Sequence, residues 1–370
     1  MNIEEYKICS KTIMDTTDPD ITFDSEGVSN HYLEYQKKAQ QILLPFPERT
    51  KVFDSTIQRI IEEGKGKPYD CLIGLSGGVD SSYIAFKAKA WGLRPLIVHF
   101  DNGWNSELAV SNIEKIVNKN GYDLHTLVVD WNEFKDIQLS FFKAGVPNIE
   151  MVTDHAIIAT LYKVAKKYGI RYLISGSNLV TEGILPEAWG YDASDYYHIK
   201  SIQKLFGKKK IKTFPSFSLS KMVYYRLCAK LQKINILNYL DYSKEMAIQE
   251  MTDGVGWQYY GGKHYESIFT QFFQGYVLPV KFGFDKRKAH LSSLICSGQT
   301  SREQALLEME KPLYDPLLLQ EHIDYLIKKW EISRQEFDSI MAQPAHRHQD
   351  YPSMEKWVKR AVLLKNKLGL

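Results

Sequence analysis

The sequence predicts an α/β fold: a parallel sheet with helices on both faces over residues 56–205, a short N-terminal appendage over 1–55, and a mainly helical region over 206–370. Three observations carry this. Short apolar runs alternate with helical stretches from Tyr69 onward. Each run ends in a small polar turn. Beyond about residue 205 the pattern turns mostly helical.

Residues 1–55 are rich in turn formers (Asp18 to Asp20, Asp24 to Gly27, Pro45 and Pro47) and read as an appendage without its own core. The run DCLIGL (70–75) is a buried strand ending in Ser-Gly-Gly, and a helix follows through about Trp91, stopping at Gly92. PLIVHF (95–100) is a second strand and ends at Asp101-Asn102-Gly103. Residues 106–121 have helical apolar spacing and a glycine stop. LHTLVVD (124–130) is a third strand. Residues 153–169 form an amphipathic helix, with Thr153 or Asp154 as cap and Gly169 as its end. RYLIS (171–175) is a fourth strand and runs into Gly176-Ser177-Asn178. Strands spaced by helices imply right-handed crossovers, and ligands of such sheets sit at the carboxyl ends of the strands. Those ends are Ser76, Asp101, Asp130 and Ser175. Further on, 205–212 is a basic turn whose Lys208 to Lys210 read as solvated. Thr300 with Glu303 and Ser333 with Glu336 read as capping boxes, and a last helix follows Pro352 and ends near Gly369.

The 47 basic and 44 acidic residues leave a net charge of +3, which gives no support to a dedicated nucleic-acid binder. The four cysteines, Cys9, Cys71, Cys228 and Cys296, form no close pair, so the reading is a reducing compartment. No apolar run approaches the roughly 20 residues of a membrane span. A cytoplasmic protein without membrane or nucleic-acid partners is expected.

Ser76-Gly77-Gly78-Val79-Asp80-Ser81-Ser82 lies between a buried strand and a helix start. Glycines let the backbone approach a ligand, and the helix-start amides point at an anion. The three serines add hydroxyl donors, and Asp80 orients the loop or holds magnesium. The Walker pattern is absent and no lysine sits inside the cradle, so cationic help must come from a metal or from distant residues. The alternative is an ordinary Gly-Gly turn with Asp80 as helix cap.

SGGVDSS in this setting resembles the PP-loop of the N-type ATP pyrophosphatases, which have an adenine-nucleotide alpha-hydrolase-like (Rossmann-like) fold. The resemblance implies attack of an amide or carbonyl oxygen on the α-phosphate of ATP, departure of pyrophosphate, and displacement of AMP by a nitrogen or sulfur nucleophile. Further segments are similar to the N-acetyl sugar amidotransferases, the WbpG-type proteins of lipopolysaccharide (O-antigen) and pseudaminic acid biosynthesis. These are residues 13–30, VHFDNGWNS (98–106), ISGSNLVTEGILPEAWG (174–190), 257–295 and SGQTSREQAL (297–306). That likeness implies conversion of an acetamido group of an N-acetyl sugar, nucleotide-linked or free, into an acetamidino group, with ATP and magnesium. The family pattern opens with two C-x-x-C pairs that look like a zinc knuckle. Here they read Cys9-Ser10-Lys11-Thr12 and Ser29-Asn30-His31-Tyr32, too few ligands for a closed site, so no zinc is expected and Ile13, Ile21, Phe23 and Val28 must hold the appendage by packing. No glutaminase nucleophile stands in a G-x-C-x-G elbow; Cys296 lacks the first glycine. The likeness therefore implies ammonia from a separate HisH-like glutaminase subunit.

Within this resemblance, Phe100 flanks adenine, with His99 on the opposite strand face. Asp101 binds magnesium or nucleotide, or merely closes an Asx turn. Gly176 and Ser177 join the nucleotide site and Asn178 faces substrate. Glu182 binds magnesium or acts on ammonia, or is a helix-start carboxylate. Magnesium is thus expected at Asp80, Asp101 or Glu182. His155 faces substrate or caps its helix. Lys286 and Arg287 share a helix face with His290 and neutralise phosphate charge, unless they form a solvated face. Lys263, His264 and Glu266 make a weaker substrate set. Two rival readings remain: a tRNA-modifying PP-loop enzyme of the thiolase or lysidine synthetase type, and a degenerate ATP-binding scaffold.

Overall fold

The computed structural model describes residues 6–262 and 265–355. Five parallel strands form one sheet in the order β3-β2-β1-β4-β5: β1 (Cys71–Gly74), β2 (Pro95–Asp101), β3 (Leu124–Val128), β4 (Tyr172–Ser175) and β5 (Gln232–Asn235). The four strands read from sequence are present. The fifth lies in the stretch read as helical, and QKIN is too short and too polar to signal itself.

Helices connect and flank the strands: α1 (Asn30–Ile42), α2 (Glu48–Gly64), α3 (Val79–Ala88), α4 (Glu107–Asn120), α5 (Trp131–Ala144), α6 (Met151–Lys167), α7 (Leu179–Glu182), α8 (Tyr196–Phe206) and α9 (Leu219–Leu227). Beyond β5 come α10 (Lys244–Val255), α11 (Ile268–Phe272), a π-helix over Phe273–Phe282, α12 (Arg287–Cys296), α13 (Arg302–Glu310), α14 (Pro316–Trp330) and α15 (Arg334–Ala342). The last helix read from sequence lies largely outside the described residues. The lead-in to the sheet is not purely turns, since α1 and part of α2 fall in it. Ser29 caps α1 by accepting from Tyr32 N, a signal hidden by the mixed polarity of the helix. The box read at Thr300 sits one residue later: Ser301 and Gln304 bond each other's backbone, whereas Ser333 accepts from Glu336 N at the expected position.

Strand alternation sorts the core. Cys71, Ile73, Ile97 and Ile174 meet α3, α4 and α10, while Leu72, Leu96, Val98 and Leu173 meet the C-terminal half of α6. A third, larger cluster joins α5, α8, α11, α14 and α15 through Phe134, Phe142, Ile199, Phe272, Trp330 and Phe337. The basic turn is tied down through its backbone: Asp136 accepts from Lys208 N and Lys209 N, and Glu133 from Lys212 N, Thr213 N and Phe214 N. The appendage buries Ile13, Met14 and Val28, with Ile21 and Phe23 half-buried. Packing is supplemented by ion pairing, because Lys288 holds the buried Asp15 and Arg302 donates to the carbonyls of Cys9 and Thr12. Cys9 Sγ accepts from Ser29 N at 3.3 Å, and His31 pairs with Asp18 at 2.6 Å.

The segment after α15 docks through two buried histidines. His198 Nδ1 lies 3.1 Å from the Pro352 carbonyl, so that nitrogen carries the proton. His198 Nε2 then accepts from His348 Nδ1 at 3.0 Å, and His348 Nε2 accepts from Asn148 N at 3.2 Å. Every ring nitrogen is matched only when both rings are neutral. Burial, then the neighbouring ring, pushes the His348 pKa down to about 3, and burial also lowers that of His198. Tyr191, Asp195 and Glu355 are the other titratable groups facing the pair. Both histidines bind protons near pH 6.5 once unfolded, so their contribution is complete above that pH and is lost as pH falls toward the depressed folded values. Between pH 7 and pH 5 the wild type should lose about 2 kcal/mol through His348 alone. In urea titrations across that range His348→Gln should show a flatter pH slope; an unchanged slope contradicts the assignment.

Candidate active site

The turn from β1 into α3 is built as a cradle. Ser76 is exposed and Gly77 adopts φ +86°. A Cβ on Gly77 would stand 2.9 Å from the Ala109 carbonyl oxygen, so only glycine brings this turn against α4. Ser76 Oγ accepts from Gly78 N at 3.2 Å and lies 3.1 Å from Ser81 Oγ; Ser81 Oγ accepts from Ser76 N at 3.3 Å. These hydroxyls shape the loop. Ser82, read as a further donor to the cradle, is fully buried instead: its place on α3 turns it inward, and its hydroxyl has no partner among the described residues. Val79 N donates to the Tyr260 hydroxyl at 3.1 Å.

Asp80 stands in the first turn of α3, half-buried. The Tyr242 hydroxyl donates to its Oδ1 and the Thr181 hydroxyl to its Oδ2, the latter at 3.5 Å. Burial, then the Asp80 charge, pushes the Tyr242 pKa far up, so this tyrosine remains a donor. The turn after β4 closes onto the same place. A Cβ on Gly176 would lie 3.0 Å from Ser81 N and 3.1 Å from Asp80 Cβ. Asn178 is buried and its side chain is taken up locally: it caps α7, accepting from Thr181 N at 2.9 Å, and donates to the Gly176 carbonyl at 3.0 Å. Ser177 is half-buried and Glu182 exposed at the end of α7. Lys233, from β5, reaches Ser177 Oγ at 3.3 Å. Desolvation of its ammonium lowers its pKa against the opposing pull of Glu182.

On the β2 side, His99 is a satisfied core residue, with Nδ1 2.9 Å from the Leu75 carbonyl and Nε2 3.1 Å from Asn105 Nδ2. Phe100 packs on the helical cluster of the other face. Asp101 Oδ1 accepts from Gly103 N at 2.8 Å, the Asx turn, and from Asn105 Nδ2 at 3.4 Å. Among the described residues no group of three or more His, Cys, Asp or Glu could hold a metal. Asp80, Asp101 and Glu182 therefore do not form one preassembled magnesium site. Of these three only Asp80 sits at the cradle, which suits an ion held largely by water and phosphate oxygens.

The other site residues read from sequence separate. His155 is fully buried in α6, two residues deeper than read because the helix starts at Met151. Its Nδ1 faces the Ala193 carbonyl at 2.7 Å, its Nε2 accepts from Phe217 N at 3.4 Å, and the ring stacks on Phe217; this is packing, not substrate contact. Arg287 is not a phosphate grip. Its guanidinium pairs with Asp285 at 2.8 Å and donates to the carbonyls of Glu308 and Lys311, closing the end of α13. Lys286 pairs with Glu150 at 3.4 Å, and His290 is half-buried in α12. Glu266 does reach the cradle, since a Cβ on Gly78 would lie 3.1 Å from its Oε1. Lys263 and His264 lie outside the described residues.

Sequence reasoning missed Tyr242, Tyr260, Thr181 and Lys233. The tyrosines carried no signal beyond abundance. Lys233 could be found only by recognising β5.

Two family models match. Residues 66–181 match the thiamine biosynthesis protein ThiI, and residues 266–364 match the C-terminal domain of LPS biosynthesis protein WbpG-like proteins. An uncharacterized protein of Methanocaldococcus jannaschii is 22% identical over 277 residues, which are 73% of this chain and 83% of the relative. Among solved structures, an NH3-dependent NAD synthetase from Campylobacter jejuni is similar at TM-score 0.31 and 15% identity, covering 76% of this chain and 94% of that one. An NMN synthetase from Francisella tularensis gives TM-score 0.30 and 15% identity, covering 60% of this chain and 92% of its own. No helix among the described residues is long and apolar enough to cross a membrane.

Proposed function

The chain belongs to the WbpG-type PP-loop superfamily, and from that premise we propose that it is an ATP-dependent amidotransferase converting the acetamido group of an N-acetyl sugar into an acetamidino group. The observation that carries this is where the two matched regions meet. Glu266, the first residue of the WbpG-like match, stands against Gly78 of the phosphate loop.

The chemistry follows from the leaving group. An amide oxygen is expelled poorly, whereas an O-adenylyl group leaves as AMP. The amides at the start of α3 and the Ser76–Ser81 pair receive the departing pyrophosphate. Asp80, fixed by Tyr242 and Thr181, would hold magnesium, which supplies charge neutralisation at the phosphates. Lys233 supplies the cation the loop lacks. Ammonia then attacks the activated carbon, and we assign its supply to a separate HisH-like glutaminase. Sulfur transfer is less well supported. Cys9 and Cys71 are buried, burial pushes the Cys71 and Cys296 thiols up, and the exposed Cys228 stands at the end of α9.

The test is pyrophosphate release from ATP with magnesium, ammonium and a panel of N-acetyl sugars and their nucleotide forms, with mass spectrometry of the sugar. The product should be lighter by about one mass unit and carry a strongly basic group. Pyrophosphate release that no sugar stimulates contradicts the reading. Lys233→Ala should raise the ATP concentration for half-maximal release about tenfold, the worth of one charge-assisted contact, and Lys233→Arg should recover part of it. An unchanged ATP requirement removes Lys233 from the site.

A further inference from the structure

A cavity opens beside the turn after β4, on the side away from β2. Its volume is about 250 Å³, and its lining includes Lys38, Ser177, Leu179, Glu182, Asn235 and Asn238. Three parts of the chain make its walls: the turn after β4, the turn after β5, and α1 of the appendage. Tyr35, Lys38 and Ile42 share one face of α1. Tyr35 is buried against Gly183, where a Cβ would collide with its ring, so α1 is seated on the turn that ends α7. Asn238 is fixed from behind, because its Oδ1 accepts from Leu179 N at 2.9 Å. Asn235 Oδ1 is buried without a hydrogen-bond partner among the described residues. A buried amide oxygen left without a donor carries a cost, and a rotation of the Asn235 side chain toward a ligand hydroxyl or N–H in the cavity it borders would remove it.

The topology divides the crevice. The phosphate loop follows the central strand β1. Asp101 and Phe100 end β2 on one side of it, and the cavity lies between the ends of β4 and β5 on the other. A nucleotide running from β2 across the loop leaves the β4–β5 side for the group that is activated. The lining there is carboxamides, a hydroxyl, a carboxylate and one ammonium, with only Leu179 and Ile42 as large apolar groups. That is the donor and acceptor set for a hydroxyl-rich ring. The volume falls just below the usual range for ligand sites, about 300–1,000 Å³, and suits one ring with its acyl group rather than a whole nucleotide.

We propose that this cavity is the acceptor subsite for the N-acylated sugar, with Asn235 bonding the sugar and Lys38 of the appendage facing an anionic substituent or carrier. The assignment of the sugar rests on the function proposed above. It also gives the appendage a role in substrate binding.

The experiment separates the two claims. Asn235→Leu and the surface variant Lys38→Ala are compared with wild type in three measurements: pyrophosphate release as a function of sugar concentration, ATP binding by calorimetry, and saturation-transfer NMR with the same sugar panel. The expected result is a rise of about tenfold or more in sugar KM for Asn235→Leu, a severalfold rise for Lys38→Ala, ATP binding within about twofold of wild type, and loss of saturation transfer. Turnover with unchanged sugar KM in both variants overturns the subsite and leaves the function standing. Saturation transfer that vanishes in Asn235→Leu, without turnover in wild type, supports the subsite and overturns the reaction. ATP binding weakened as much as sugar binding assigns the cavity to the nucleotide and overturns the subsite. Neither turnover nor saturation transfer in wild type overturns both.

Discussion

Asp80→Asn should lower ATP-dependent pyrophosphate release by about 100-fold or more, with a stability loss of only about 1 kcal/mol. The substitution keeps volume and shape and removes one charge. Asp80 is where that charge acts, because it stands in the first turn of α3, beside the amides proposed above to receive the pyrophosphate. Its two oxygens are held from opposite sides, Oδ1 by Tyr242 and Oδ2 by Thr181. A group held this way loses little entropy when the ligand arrives. Tyr242→Phe separates charge from orientation. It leaves the carboxylate in place and removes the donor on Oδ1, so the loss should be smaller, about tenfold, and should appear mainly as a higher magnesium requirement. Both variants are measured by pyrophosphate release across a magnesium titration, with urea midpoints as the control for folding. Gly78, not Asp80, is the N-cap of α3, so Asp80→Asn releasing pyrophosphate within about threefold of wild type would show that the carboxylate serves only the first turn of the helix.

The legible part of the molecule is the part governed by short-range rules. The strands β1, β2 and β4 are buried on both faces, so they stand out as apolar runs between helices, and the loop after β1 is marked by residues that only a close backbone approach requires. β5 was invisible because it is an edge strand of four residues with Gln232 and Lys233 exposed, and its place is set by pairing with β4 rather than by its own composition. The same blindness hid Lys233. The loop has no cation in sequence, yet the fifth strand delivers one beside Ser177 from more than fifty residues away. Arg287 failed in the opposite direction. Its segment matches the family and its charge suits a phosphate, but Asp285, two residues earlier, and the carbonyls closing α13 use the guanidinium. Helical spacing shows which residues share a face, not which neighbour that face meets.

Gln138→Leu should be among the most destabilising single substitutions outside the crevice, by about 3–4 kcal/mol, from two buried indole donors at roughly 1–3 kcal/mol each. Gln138 lies in α5, almost fully buried, and its Oε1 accepts from Trp104 Nε1 and from Trp330 Nε1, each at 3.1 Å. Three parts of the chain thus share one oxygen: α5, the loop after β2, and α14. Leucine fills the space and leaves both N–H groups facing an apolar wall. The cost should be non-additive. In Gln138→Leu with Trp330→Phe one orphaned donor is gone, so the double variant should be more stable than the sum of the single effects by about 1 kcal/mol or more. Urea midpoints for the four proteins measure the cycle, and simple additivity would mean that the indoles find other partners. The effect should also reach the crevice. Trp104 follows Asp101 by three residues, and Lys329 of α14 lies over the rings of Trp104 and Trp131 at 4.5 and 4.9 Å while donating to the Gly103 carbonyl. Loosening the Trp104 anchor frees the turn that positions Asp101. Gln138→Leu should therefore weaken ATP binding even at temperatures where the protein remains folded, whereas a purely global loss of stability would leave the affinity of the folded fraction unchanged.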